Sequence, residues 1–183
     1  ENISDRVLSA QNLLLAWFTY PVMKAIHEWS HALAVKRWGG RVREAGLMLL
    51  VFTPVPYVDA TDSYSFSGKW QRAIVAAAGI MAEVTLGALA GYVWVLAEPG
   101  HLRAVAYEVI LIAGISTLVV NGNPLLRYDG YFVLSDLLEI PNLAQRASRF
   151  WVYLSDRYLF RSKEAKSPAL ARGEAVILGI YGA

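Results

Sequence analysis

Residues 73–97 read AIVAAAGIMAEVTLGALAGYVWVLA, twenty-five positions with one charged side chain, Glu83. A helix of roughly 17 to 25 predominantly apolar residues crosses the hydrocarbon core of a bilayer, so this stretch is long enough to span one. Working outward, residues 104–120 (AVAYEVILIAGISTLVV) form a second such run with Glu108 as its only charge, and residues 7–35 a third, interrupted by Lys24, His27, Glu28 and His31. A further apolar run begins at Ala175 and reaches Ala183. The composition agrees, because 17% of the 183 residues are charged and 56% are apolar, against about 25% charged in an ordinary soluble domain. The expected fold is an all-α polytopic membrane protein with a three-helix transmembrane core, read as a piece of a longer protein that carries additional domains.

The basic residues set an orientation. Six lie between the first and second runs (Lys36, Arg37, Arg41, Arg43, Lys69, Arg72) and eight beyond the third (Arg127, Arg146, Arg149, Arg157, Arg161, Lys163, Lys166, Arg172), whereas Arg6 stands alone before the first and Arg103 alone between the second and third. The positive-inside rule then puts the N-terminus and the short turn at 98–102 outside and the basic loops in the cytoplasm. The expected location is a membrane, with the lipid bilayer as a partner. A net charge of +2 excludes a nucleic-acid partner, and the absence of cysteine excludes thiolate metal sites and disulfide scaffolds.

Shorter segments carry further expectations. Gly39-Gly40 ends the first helix. Residues 47–58 (LMLLVFTPVPYV) are apolar but too short to span, and Pro54 and Pro56 forbid a continuous helix. They read as a re-entrant β-hairpin, tolerated at membrane depth only where protein or water satisfies its backbone. Between Pro141 and Phe160, the residues Leu143, Ala147, Phe150, Leu154 and Tyr158 share one helical stripe, which reads as a cytoplasmic surface helix. The expected domains are a membrane core over 1–140, the surface helix and linker over 141–166, and the start of a further span over 167–183. Gly87 and Gly91 suit close helix packing, and Glu108 is expected to snorkel or to pair with Arg103.

The chemistry concentrates in His27-Glu28-Trp29-Ser30-His31, an HExxH pattern within the first run. On a helix, residues four apart face the same way, so both imidazoles can reach one zinc ion, while the helical period turns Glu28 aside by about 60 to 100°. That is where a base for an activated water belongs. Ionisable groups inside a span are functional by default, because lipid makes them costly. At about 1.5 Å per residue, His31 lies about 8 Å and His27 about 14 Å below an interface near Lys36, so the site is near the cytoplasmic side. The third run ends on that same side in NGNPLLRYDG (121–130), and Asp129 is the carboxylate best placed to complete a three-ligand set.

These residues together resemble a known family. HExxH in the first span, with N-x-x-P-x-x-x-x-D-G matched by Asn121, Pro124, Asp129 and Gly130, is similar to the site-2 protease family of intramembrane zinc metalloproteases. The run NPLLRYDGYFVLSDLLEIPNL resembles a bacterial subgroup of peptide zinc metallopeptidases within it, which implies a bacterial inner membrane as the location. The resemblance covers roughly residues 8–140. It implies that His27, His31 and Asp129 bind Zn²⁺, that Glu28 activates water, and that Asn121 helps to hold the substrate or its developing oxyanion. Many members carry G-P-x-x-N in the middle helix. Here that stretch is Gly79-Ile80-Met81-Ala82-Glu83, and Glu83 stands as a candidate substrate-positioning residue in place of Asn. Val51 and Thr53 on the hairpin are further candidates, since an extended substrate segment can add to a strand edge.

The expected function is hydrolysis of peptide bonds in membrane-embedded or membrane-associated peptide or protein substrates. The alternative is a catalytically idle membrane module that binds or exports peptides. A membrane di-iron oxygenase needs many histidines and is excluded by a total of three.

Overall fold

The computed structural model describes residues 10–162 and 166–182. Arg6, Lys163, Ala183 and the first three residues of the 7–35 run, which enter the readings above, lie outside the described residues. The chain is mostly helical with one two-stranded hairpin, and it divides into two compact units, Glu1–Leu134 and Ser135–Ala183.

The first unit is built on α1 (Ala10–Arg37), α2 (Lys69–Leu96) and α3 (His101–Gly114), each packed on the other two. Helix α1 ends in two basic residues, Lys36 and Arg37, which complement the C-terminal end of the helix dipole. Gly39 then turns the chain at φ 78°, a conformation glycine adopts without strain. Helix α3 continues into a π-helical segment, Ile115–Asn121. Two stretches, Lys69–Leu96 and His101–Asn121, are long and apolar enough to cross a membrane. Helix α1 matches them in length but carries Lys24, Glu28, His27 and His31 in its second half.

The three helices have small and polar interiors with large apolar exteriors. Helix α2 buries Ala73, Val75, Gly79, Glu83 and Ala90, and α3 with its π segment buries Ala106, Glu108, Ala113, Ser116, Thr117 and Asn121. Met81, Leu89, Tyr92, Val95, Leu118 and Val119 face outward. Small residues let the backbones approach: a Cβ on Gly87 would stand 3.0 Å from the Ala113 Cβ, whereas Gly91 has open space around it. Glu108 is buried and does not pair with Arg103, whose guanidinium lies over the Trp94 ring at 4.7 Å. The two are five residues apart, which puts them on different helical faces.

Strands β1 (Ala45–Leu50) and β2 (Thr53–Val58) pair antiparallel about a two-residue turn at Val51 and Phe52. Both turn residues have positive φ, 47° and 62°. Such a turn matches the twist of the strands but is normally made by Asn or Gly, so a β-branched valine there is strained. The expected hairpin is therefore present, and β2 packs on α1.

Helix α4 (Asp129–Leu138) runs from the first unit into the second. Within the second unit, α5 (Leu143–Leu154) and α6 (Arg172–Tyr181) pack together. The expected surface stripe is legible in α5, where Leu143, Ala147 and Phe150 are buried. Its helix has a protein neighbour instead of an open apolar face. Trp151 Nε1 donates to the Gly179 carbonyl at 3.1 Å, and Arg146 pairs with Glu174. The region expected to start a further span contains α6, which packs in the same unit as α5.

Candidate metal centre

Helix α1 presents His27 and His31 one turn apart, both buried, with ring centroids 4.8 Å apart. Asp129 reaches them from the start of α4. The ligand atoms form a triangle: His27 Nε2 to His31 Nε2 is 3.1 Å, His27 Nε2 to Asp129 Oδ2 is 3.0 Å, and His31 Nε2 to Asp129 Oδ2 is 3.4 Å. Donors tetrahedrally arranged around an ion at about 2.0 to 2.1 Å stand about 3.3 Å from one another. The three side chains are therefore spaced as a small tetrahedral cation requires, and they are the group among the described residues that could hold a metal ion.

A second observation supports the fit. Asp129 Oδ2 is buried without an aligned hydrogen bond although two imidazole nitrogens lie beside it. A cation between these atoms would satisfy that lone pair. Burial pushes the Asp129 carboxyl up, but the His27 and His31 imidazoles beside it outweigh this and bring the group to about 2. The carboxylate stays ionised, as a ligand must.

The imidazoles are held from behind by α2. His31 Nδ1 lies 2.7 Å from the Val75 carbonyl oxygen, which accepts a hydrogen bond from a protonated Nδ1 and leaves Nε2 free as a ligand. His27 Nδ1 lies 3.0 Å from Glu83 Oε1, near enough to pair but not aligned for a hydrogen bond. Gly79 makes room for the ring, because a Cβ there would sit 2.4 Å from His27 Cε1 and Nε2. Gly130 has a matching role beside Asp129. A Cβ on it would come within 2.6 Å of the Gly122 carbonyl oxygen, so only glycine lets the start of α4 cross against the end of the π segment.

Glu28 is half-buried, and no hydrogen bond or ion pair engages its carboxylate among the described residues. Asn121 is buried, and its amide nitrogen faces inward, 3.0 Å from Ser116 Oγ and 3.4 Å from Glu83 Oε2. Glu83 has a different place from the one expected of a substrate-positioning residue. It is 0% exposed and surrounded by donors from α1 and the π segment, so it presents no surface to a substrate. Val51 and Thr53 do line an open space. With Leu50, Val55 and the α1 residues Trp17 and Tyr20 they border an apolar groove of about 380 Å³.

Sequence reasoning missed Gly79, Val75 and the partners of Glu83. Gly79 and Glu83 were both visible within one stretch of α2, but a glycine that clears space for a ring from another helix looks like any other helical glycine. A backbone carbonyl such as that of Val75 leaves no mark on residue type. Comparison of the chain with known protein families, with curated proteins and with solved structures finds no match.

Proposed function

We propose that this chain is the membrane-embedded core of a zinc metalloprotease of the site-2 protease type, hydrolysing peptide bonds in membrane-embedded or membrane-associated substrates. The observation that carries this reading is the donor triangle of His27, His31 and Asp129 with the unengaged Glu28 next to it on α1. Two imidazoles and one carboxylate are a set that suits zinc and leaves a fourth position open. When bound, zinc supplies a Lewis acid for a carbonyl oxygen and lowers the pKa of water to about 7. The chain's own residues do the rest. Glu28 accepts a proton from the attacking water and returns it to the leaving amine. His27, His31 and Asp129 hold the ligand triangle from two separate elements.

Membrane embedding is supported by the distribution of side chains. Only 28% of the most apolar window of Lys69–Leu96 and 33% of that of His101–Asn121 are buried. The core helix of a soluble protein is mostly buried, so this low burial favours helices surrounded by an apolar solvent. Small and polar groups inside with large apolar groups outside is the pattern of packing in lipid. The basic loops favour an orientation with the site near the cytoplasmic side, and the resemblance to a bacterial subgroup favours a bacterial inner membrane.

A helical substrate hides its carbonyls in hydrogen bonds and must be extended before water can attack. The hairpin offers a strand edge for the extended form. Asp59 N donates to Glu44 O at 2.9 Å, which sets the alternation of the ladder: Thr53, Val55 and Tyr57 point their N–H groups toward β1. Pro54 and Pro56 then lie on the outer side of β2 and deprive that edge of donors. The outer edge of β1, with the outward N–H groups of Leu47 and Leu49, is the one able to accept a strand.

The test is a metal assay paired with a cleavage assay. Purified protein should bind one zinc per chain and lose it in His31→Ala and Asp129→Ala. Glu28→Gln should keep the zinc and cleave membrane peptides about 10² to 10⁴-fold more slowly. Cleavage by neither protein would favour the idle peptide-binding module, and cleavage by Glu28→Gln at the parent rate would reject the mechanism.

A further inference from the structure

Glu83 is the most buried charged side chain among the described residues, with none of its surface exposed. A carboxylate at such a position is costly unless its charge and its lone pairs are all answered. Here they are. Lys24 Nζ donates to Oε1 at 2.8 Å and to Ser116 Oγ at 2.7 Å, and Ser116 Oγ donates to Oε1 at 3.0 Å. Thr117 Oγ1 donates to Oε2 at 3.0 Å, with Asn121 Nδ2 3.4 Å from the same oxygen. Lys24 and Glu83 cancel in charge, so the network adds no net charge to the neighbouring site.

Proton donation and metal binding at Glu28, His31 and Asp129 use none of these contacts. A helix interface that needed only to pack could place an aliphatic residue at position 83. Of the groups around Glu83, His27 is the one that also belongs to the donor triangle, its Nδ1 lying 3.0 Å from Oε1 and its Nε2 3.0 Å from Asp129 Oδ2. An imidazole that offers Nε2 to an ion carries its proton on Nδ1. An acceptor that takes a hydrogen bond from Nδ1 fixes that tautomer; Nδ1 is buried here without an aligned hydrogen bond, and Glu83 Oε1 is the acceptor within reach of it. Gly79, four residues before Glu83, clears the other side of the same ring.

We propose that Glu83 is a positioning residue for His27: balanced by Lys24 and held by Ser116, Thr117 and Asn121, it is the acceptor for an Nδ1 proton, so that Nε2 is presented toward His31 and Asp129. This rests on the metal-site reading given above. The Val75 carbonyl is hydrogen-bonded to His31 Nδ1, so α2 places an acceptor beside both histidines while contributing no ligand. The presence of an ionic pair within the packed helices then has a reason beyond folding.

The experiment measures zinc affinity by chelator competition, and thermal unfolding of the metal-free protein, on the full chain in detergent. Lys24→Met with Glu83→Leu removes both charges together and avoids an uncompensated ion. It is expected to unfold at or above the parent temperature yet to bind zinc about 10- to 100-fold more weakly. Lys24→Met with Glu83→Gln restores a neutral acceptor for Nδ1 and is expected to fall between the two. A purely structural role would make affinity follow the unfolding temperature and leave both variants at parent affinity, which overturns the proposal. Should the leucine variant not fold, the glutamine variant decides: affinity equal to the parent's overturns the proposal, and a loss supports it. Asp129→Ala separates the two readings. If the parent binds no stoichiometric zinc, or Asp129→Ala binds it as tightly, the metal site itself is wrong and the proposal falls with it. If Asp129→Ala loses zinc while both double variants keep it, the site stands and only the role of Glu83 falls.

Discussion

A methyl group at Gly79 would overlap the imidazole of His27, and one at Gly130 would overlap the backbone at Gly122. The two clashes differ in kind. At Gly79 the obstacle is a ring that can rotate away, so Gly79→Ala is expected to fold but to bind zinc at least about 10-fold more weakly, because ligand orientation is worth that much. At Gly130 the obstacle is a carbonyl that cannot move without the chain. Gly130→Ala should therefore displace Asp129 itself and lower both zinc content and thermal stability. Chelator competition together with an unfolding scan distinguishes them, and parent-like zinc binding in Gly79→Ala would show that His27 does not need this cradle.

At the scale of the element, the hairpin and the π segment each owe their use to an irregularity. The π hydrogen-bond pattern brings residues five apart into register, which lets Ser116 and Asn121 meet and both face Glu83. In the hairpin, the two prolines of β2 block one edge and leave the other open. Leu47→Pro or Leu49→Pro removes an outward N–H from β1 while sparing the inward bonds that hold the hairpin together. Each is expected to reduce cleavage several-fold with zinc content unchanged. Thr53→Pro is a harsher change, since the Thr53 N–H points toward β1 at the pair that closes the turn. Unchanged turnover in both leucine variants would remove strand addition from the account.

For the molecule as a whole, the distribution of large apolar side chains around α2 and α3 and of basic residues between the runs makes a statement about sidedness. Because the chain has no cysteine, single cysteines report cleanly. In intact cells an impermeant thiol reagent should label a cysteine at His101, which opens α3, and should spare one at Arg41, in the basic loop after α1. Labelling of Arg41→Cys alone would invert the orientation and move the metal site to the outer side. Labelling of both in detergent but neither in cells would place both positions beyond the reagent and contradict a span between them.

Local spacing alone determined much of this protein. The i, i+4 relation of His27 and His31, the lengths of the apolar runs, and the break forced by Pro54 and Pro56 follow from backbone geometry within one segment, so they can be read without knowing what packs on what. Asp129 was within reach of the same logic, because the pattern of basic residues assigns the ends of the first and third runs to one side. What only the tertiary structure decided are relations between segments far apart in the chain. Lys24 and Glu83 are fifty-nine residues apart, and His31 and the Val75 carbonyl forty-four. Glu83 looked like a substitute for a substrate-facing Asn until the packing of α1, α2 and the π segment enclosed it. That the stripe on α5 packs against α6 could not be read from the stripe itself. The physical reason is common to all of them: a side chain's residue type states which partners it can satisfy, and only the packing of helices says which partner is there.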